Sequence, residues 1–358
     1  MRISLLAPAV AAAVLSPLAF AASAAAATPA GPAARTAAVA GETAADDAPH
    51  AIGLAHDQLV AFSTHAPGHA RSIGHVRGLS GDTKLVGIDY RVQNGALYGV
   101  GDQGGIYTLD THNAKAAKVS QLTVDLDGEY FGVDFNPAAN RLRVISDTGQ
   151  NLRHNIDDKA APRTTTVDGK LTNPATPPST TPPTAKGVTG AGYTNNDLNS
   201  DTATTLFDLD TVNDRVSLQS PANAGSLAPT GSLGVKAGPS AGFDVHYAPK
   251  SGTNHGFATL HVNGTARLYG IDLLTGAAAH KGDFPSDFQV TDLAVALNKK
   301  PQGGVHTGGG ALASATLTPG SGVSLNAVGA AAGTLLLLGG IGAGARVMAR
   351  RTNTNRVA

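Results

Sequence analysis

Two stretches of the chain align over their whole length without a gap: "GIDYRVQNGALYGVGDQGGIYTLD" (87–110) and, 45 residues later, "GVDFNPAANRLRVISDTGQNLRHN" (132–155). A Gly-apolar-Asp-aromatic start is shared, as are Leu97 with Leu142, Val100 with Ile145, Asp102 with Asp147 and Gly104 with Gly149. The last third recurs as "LFDLDTVNDR" (206–215) and "LYGIDLLTGA" (268–277). The first third recurs as "GFDV" (242–245) and, less closely, as "VTDL" (290–293) and "GAGY" (190–193). Each unit reads as short strands of period two separated by turns. Units of about 45 to 60 residues with three or four strands are the signature of propeller blades.

Inner-strand starts fall near 87, 132, 190, 242 and 290. The last has too little chain after it for a blade, while "LVAFST" (59–64) and "ARSIGHV" (70–76) are orphan strands at the front. Joining the two ends completes a ring. The expected fold is all-β, a five-bladed β-propeller closed by its N- and C-terminal strands, with six blades or an open β-sandwich as alternatives. No convincing amphipathic helix occurs between 51 and 298. A Pro/Thr-rich run, "LTNPATPPSTTPPTAKG" (171–187), is expected to project between blades as an extended, mobile insertion.

The flanks specify location. Arg2, an apolar run from Ile3 to Phe20, and the small-x-small text Ala22-Ser23-Ala24 fit a cleaved signal peptide over 1–24. Residues 25–55 read as a disordered linker, 56–298 as the propeller-like domain and 299–324 as a Gly-rich linker. Residues 325–345 hold no charged side chain and span roughly 30 Å as a helix, the thickness of a hydrocarbon core. The basic tail 346–358, with Arg346, Arg350, Arg351 and Arg356, is expected to stay cytoplasmic and leave the main domain outside. The membrane, through this one C-terminal helix, is therefore an expected partner.

With no cysteine, disulfides, thiol catalysis and cysteine metal sites are excluded. Residues 51–298 carry 18 Lys and Arg against 23 Asp and Glu, a net of −5, so nucleic acid is not an expected partner. The absence of tryptophan argues against a stacking platform for polysaccharide. His56, His65, His69 and His75 cluster in sequence without a ligand spacing, and no carboxylate pair has recognisable glycosidase spacing.

The second aligned unit is unusually polar. Its Arg141, Arg143, Asn151 and Arg153 stand where the first has Ala96, Tyr98, Ile106 and Thr108, so the blade plan does not require them. With Asp134 expected across from Arg141 on the neighbouring strand, they form either an inter-blade network or a site for a carboxylate or phosphate. Asp89, Asp134, Asp244 and Asp292 recur at one inner-strand position and could converge on a cation, although repeat aspartates more often lock turns. Asp197, Asn199 and Asp201 have the spacing of a calcium loop, but Thr202 replaces its glycine. No cofactor is required; calcium is an optional occupant.

The strings "LVGIDYR", "GVDFNPAANRLRVISDTGQNLRHN" and "YTNN…TTLFDLD" resemble the bacterial family known as domain of unknown function 4394, over about 56–298. The resemblance implies an exported propeller-like module and no activity. Two functional expectations follow: a membrane-anchored extracellular binding or scaffolding module without catalysis, for an envelope or small-molecule ligand, or a calcium-dependent propeller hydrolase or lactonase using the inner-strand aspartates.

Overall fold

The computed structural model describes residues 48–157, 164–199 and 202–298. The alternation of apolar and polar residues becomes twenty strands in five four-stranded antiparallel sheets. Blade two is β4 (Leu85–Arg91), β5 (Ala96–Gly101), β6 (Gly105–Leu109) and β7 (Ala116–Gln121). Blade three is β8 (Phe131–Asn136), β9 (Arg141–Ser146), β10 (Asn151–His154) and β11 (Thr165–Val167). Blade four is β12 (Val188–Tyr193), β13 (Leu206–Asp210), β14 (Arg215–Gln219) and β15 (Leu227–Ser232). Blade five is β16 (Ala241–Ala248), β17 (Thr253–Val262), β18 (Thr265–Ile271) and β19 (Ala278–Asp283).

Blade one closes the ring. Its inner strand is the last of the domain, β20 (Val290–Val295), paired antiparallel with the first, β1 (His50–Ala55), and followed by β2 (Gln58–Ser63) and β3 (Ala66–His75). The expected five blades and their closure are both present. The lead-in is shorter than the sequence suggested: residues 50–55 form a full strand, with Ala51, Leu54 and Ala55 buried, because β20 needs a partner. Every strand and core cluster among the described residues lies between His50 and Val295.

Each of five apolar clusters fills a junction between neighbouring blades. Tyr98, Val100 and Ile106 of blade two meet Phe131, Val133 and Phe135 of blade three, with Tyr98 and Phe135 edge to face at 5.2 Å. The Gly-apolar-Asp motif is the axial part of the same joints. A Cβ on Gly132 would stand 2.7 Å from the Ala191 nitrogen, and one on Gly242 would stand 2.4 Å from the Asp292 Cα. Glycine therefore lets inner strands touch backbone to backbone where the ring is narrowest.

The 171–187 insertion is tethered more closely than its composition suggests. Leu171 and Ala185 are fully buried, the Ala185 N–H donates to the Leu171 carbonyl, and Thr172 bridges both Thr184 and Ser226. Between these tethers residues 176–184 are exposed. The sole helical element among the described residues is a 3-10 turn, Ala222–Ala224. No helix among these residues is long and apolar enough to cross a membrane; the signal segment, the stretch 325–345 and the basic tail lie outside them.

Candidate functional site

Blade three supplies the polar stretch. The hairpin joining β8 and β9 pairs Asn136 with Arg141 and Asp134 with Arg143, so Asp134 is not opposite Arg141 as expected. The side chains of Asp134 and Arg143 also part company. Asp134 turns to the axis and accepts the Tyr193 N–H, whereas Arg143 reaches sideways into blade four.

Arg143 is 1% exposed, and each of its three nitrogens donates a hydrogen bond. Nε donates to the Tyr193 hydroxyl at 3.2 Å, Nη1 to Asn151 Oδ1 and Asp168 Oδ2 at 2.6 Å each, and Nη2 to Asn223 Oδ1 at 2.9 Å. Arg153 forks onto the same Asp168 carboxylate through Nε at 2.6 Å and Nη2 at 2.9 Å. Asn151 spends its own N–H groups on the carbonyls of Gly169 and Ala222. A guanidinium this deeply buried persists only because each nitrogen meets an acceptor. Arg143 and Asn151 are thus built into the joint between blades three and four. Asp147 takes the N–H of Glu129 across its turn.

Above this network lies a cleft of about 240 Å³, walled by Arg141, Arg143, Arg153, Asn136, Tyr193 and Asn223, with Ala139, Pro221 and Ala222 completing it. No carboxylate is among these lining residues; Asp168 stands behind Arg143 and Arg153. Arg141 sits at the hairpin, with Nη1 on the carbonyls of Ala139 and Asn140 at 3.1 and 2.9 Å. The Tyr193 hydroxyl, which accepts from Arg143 Nε, is pushed up by burial, partly offset by Arg143. The structure therefore gathers Arg141, Arg143 and Arg153 as the sequence proposed, and adds Tyr193, Asp168 and Asn223. Only Tyr193 had a local signal, since it aligns with Phe135 and Tyr90 after the Gly-x-Asp position.

The inner-strand aspartates form a second assembly. Oxygens of Asp89, Asp134 and Asp244 all lie within 4.8 Å of one another, and all three side chains are buried. Their visible work is to join blades rather than lock turns. Asp292 Oδ2 accepts the Ile88 N–H at 2.7 Å, Asp89 Oδ2 accepts that of Phe135 at 2.7 Å, and Asp244 Oδ2 accepts that of Val295 at 2.6 Å. With Asp134 on Tyr193, four of the five junctions carry a carboxylate clasp. Between blades four and five Gly192 replaces the aspartate.

Burial pushes Asp89, Asp134 and Asp292 well above the ordinary carboxylate range, and their neighbours' charge pushes further. Asp244 rises to about 6 through burial, against two backbone N–H bonds that pull it down. Calcium takes about six to eight oxygens. Three converging oxygens, on carboxylates already holding N–H groups, are a sparse set for it. Asp197 Oδ1 accepts the Asn199 N–H at 2.8 Å in a local turn, while Asp201 lies outside the described residues.

Sequence comparison places the chain in a family: residues 58–294 match the model described as "Domain of unknown function (DUF4394)", and the chain belongs to it. No curated protein matches. Among solved structures, a protein from Lactobacillus plantarum is 16% identical with a TM-score of 0.34, over 67% of this chain and 69% of its own. The Malassezia sympodialis allergen Mala s 1 is 10% identical with a TM-score of 0.33, over 64% of this chain and 66% of its own. Saccharomyces cerevisiae Sqt1 is 12% identical with a TM-score of 0.33, over 67% of this chain and 60% of its own. Likeness at this level carries no functional argument, and the propeller rests on this chain's own strand pairing.

Proposed function

We propose that this domain is a non-catalytic binding or scaffolding module, exported and held on the outer face of the cytoplasmic membrane by the 325–345 segment, which receives an anionic group of its ligand in the arginine cleft of blade three. The observation supporting this is the imbalance at that cleft: the Arg141 and Arg153 guanidiniums and the Tyr193 hydroxyl stand in its wall, with Arg143 spent on the joint behind them, and no carboxylate is among its lining residues. At about 240 Å³ it is smaller than the usual ligand cavity, so it suits a carboxylate or phosphate at the end of a larger envelope or small-molecule ligand. Asp168 pre-organises Arg143 and Arg153 without filling the cleft. Nothing in the axial ring favours hydrolysis, because its carboxylates are occupied as acceptors between strands.

The test is thermal melting of residues 25–302 in inorganic phosphate, in acetate and in chloride of matched ionic strength. Phosphate or acetate is expected to raise the melting temperature above chloride, with the increment lost in Arg141→Ala and Arg153→Ala. Identical melting in all three salts would overturn the reading.

A further inference from the structure

Behind the arginine network, the same joint between blades three and four holds a second polar centre whose oxygens go unmet. Asp208 of β13 and Ser217 of β14 are directly paired, and Gln219 follows Ser217 on the same face of its strand. That face meets blade three, because Leu206 packs there while Phe207, Leu209 and Val216 pack toward blade five. Both carboxylate oxygens of Asp208, Ser217 Oγ and Gln219 Oε1 are buried and make no hydrogen bond among the described residues. Gln219 Nε2 donates to the Ala222 carbonyl, which also receives Asn151 Nδ2, so Oε1 is the uncommitted end of that amide. Directly paired residues hold their Cβ atoms about 5 Å apart on one face. The Asp208 carboxylate and the Ser217 hydroxyl therefore flank one small space, with Gln219 beside it.

The neighbouring guanidiniums are engaged elsewhere. Arg143 lies within electrostatic reach of Asp208, but its nitrogens donate to Tyr193, Asn151, Asp168 and Asn223. Arg215 sits against Asp210 Oδ2 at 3.2 Å and donates to Asn173 Oδ1 at 2.6 Å. Asp210 in turn accepts the N–H groups of Val212 and Asn213. A buried carboxylate without a contact partner is costly, and that cost favours uptake of one.

The oxygens select what fits. Three of the four only accept, so an occupant must bring positive charge or several protons at once. A water has two protons to give, whereas a metal cation meets all four oxygens together. Calcium takes about six to eight oxygens, and its second charge would stand beside Arg143 with nothing to offset it. We infer that this pocket binds a monovalent cation, sodium or potassium, between Asp208, Ser217 and Gln219. The site does not depend on an anion in the arginine cleft.

Thermal melting of the full chain in non-ionic detergent tests this, in sodium, potassium and tetramethylammonium chlorides of equal ionic strength. It is run at pH 8, where the proton competes least for a carboxyl raised by burial. Sodium or potassium is expected to raise the melting temperature by several degrees over tetramethylammonium, which is too large to enter, and the increment should saturate with concentration. Asp208→Asn is expected to remove the increment and, in tetramethylammonium chloride, to melt above the wild type. Ser217→Ala is expected to need about tenfold more cation for the same increment. Asp244→Asn should keep the increment in full, since the axial carboxylates are a separate assembly. Identical melting of the wild type in the three chlorides would overturn the site and leave water as the partner of these oxygens. An increment that survives Asp208→Asn would place the cation elsewhere, and a larger increment from calcium chloride would overturn the single charge.

Discussion

Blade four has two different neighbours, and β13 shows both faces of the contrast in five residues. Leu206, Asp208 and Asp210 look toward blade three, while Phe207 and Leu209 look toward blade five. On the first side the joint is filled with polarity: Arg143 at its centre, Asp134 clasping Tyr193, and the smallest apolar cluster of the ring. On the second side glycines take over. A Cβ on Gly190 would stand 2.8 Å from that of Phe243, so the inner strands are flush at the axis while the outer strands leave a hollow. The lesson is that one blade plan closes a ring in two ways. Hydrogen bonds fill one joint and fix one register; a large apolar cluster, with glycines letting Phe243 and Val245 come close at the axis, closes the other.

The largest break in the comparison should come from Arg143→Met. Asp168, Asn151, Asn223 and Tyr193 would lose their shared donor inside the joint, and urea unfolding should show a loss of about 3–5 kcal/mol. Adding Asp168→Asn should restore part of it, since no carboxylate is then left buried and half-paired. A loss below about 1 kcal/mol would show that the network is not what holds blades three and four together.

Gly190→Ala tests the other joint. The added methyl meets Phe243 without room to move, and a cost of about 1–3 kcal/mol is expected by the same measurement. The arginine joint should be indifferent to it, so phosphate-dependent melting should keep its increment.

Asp208→Asn should move stability the other way. Neither carboxylate oxygen of Asp208 has a hydrogen-bond partner among the described residues; nor do Ser217 Oγ, on the residue paired with it, and Gln219 Oε1. Burial raises the Asp208 carboxyl far above its ordinary range, only partly offset by Arg143. Neutralising it should add about 1 kcal/mol at pH 8 and less at pH 5, where protonation already does so. A loss at pH 8 would show that the charge is needed by the joint.

The smallest effect is a pH slope. A carboxyl whose folded value is raised binds its proton more tightly in the folded state, so its contribution is greatest at low pH and fades as pH rises through the folded value. For Asp244 that window runs from 3.8 to about 6, and for Asp89, Asp134 and Asp292 it extends higher. Groups lowered by partners, such as Asp157 beside Arg91, act only below the ordinary range. His246, lowered to about 4 by burial, works the other way below 6.5, so it is in His246→Gln that melting temperature should rise by about 2–4 °C per kcal/mol gained as pH falls from 7.5 to 5. Asp244→Asn should flatten the part near pH 6; a fall in melting temperature over this interval would contradict the charge reading of the ring.

Much of this was legible beforehand where the physics is local and repeated. Period-two alternation and a gapless 45-residue offset specify strands, and a missing partner at each end of the chain specifies closure. The site was legible only as composition. That Arg141, Arg143 and Arg153 depart from the first unit marks them as additions, but their acceptors lie far off in sequence, Asp168 by 25 residues from Arg143 and Asn223 by 80. The hairpin also begins one residue later than expected, which moves Asp134 from opposite Arg141 to opposite Arg143 while both arginines keep their face of the strand.

The sequence by itself determined that this chain builds a ring of like sheets, since alternation and repetition are properties of neighbours along the backbone. Which polar groups became clasps, which arginines were consumed by Asp168, and which joint was left hollow were settled only when non-neighbouring blades met. Burial and hydrogen-bond satisfaction are properties of space, and the spacing of residues along a chain does not carry them.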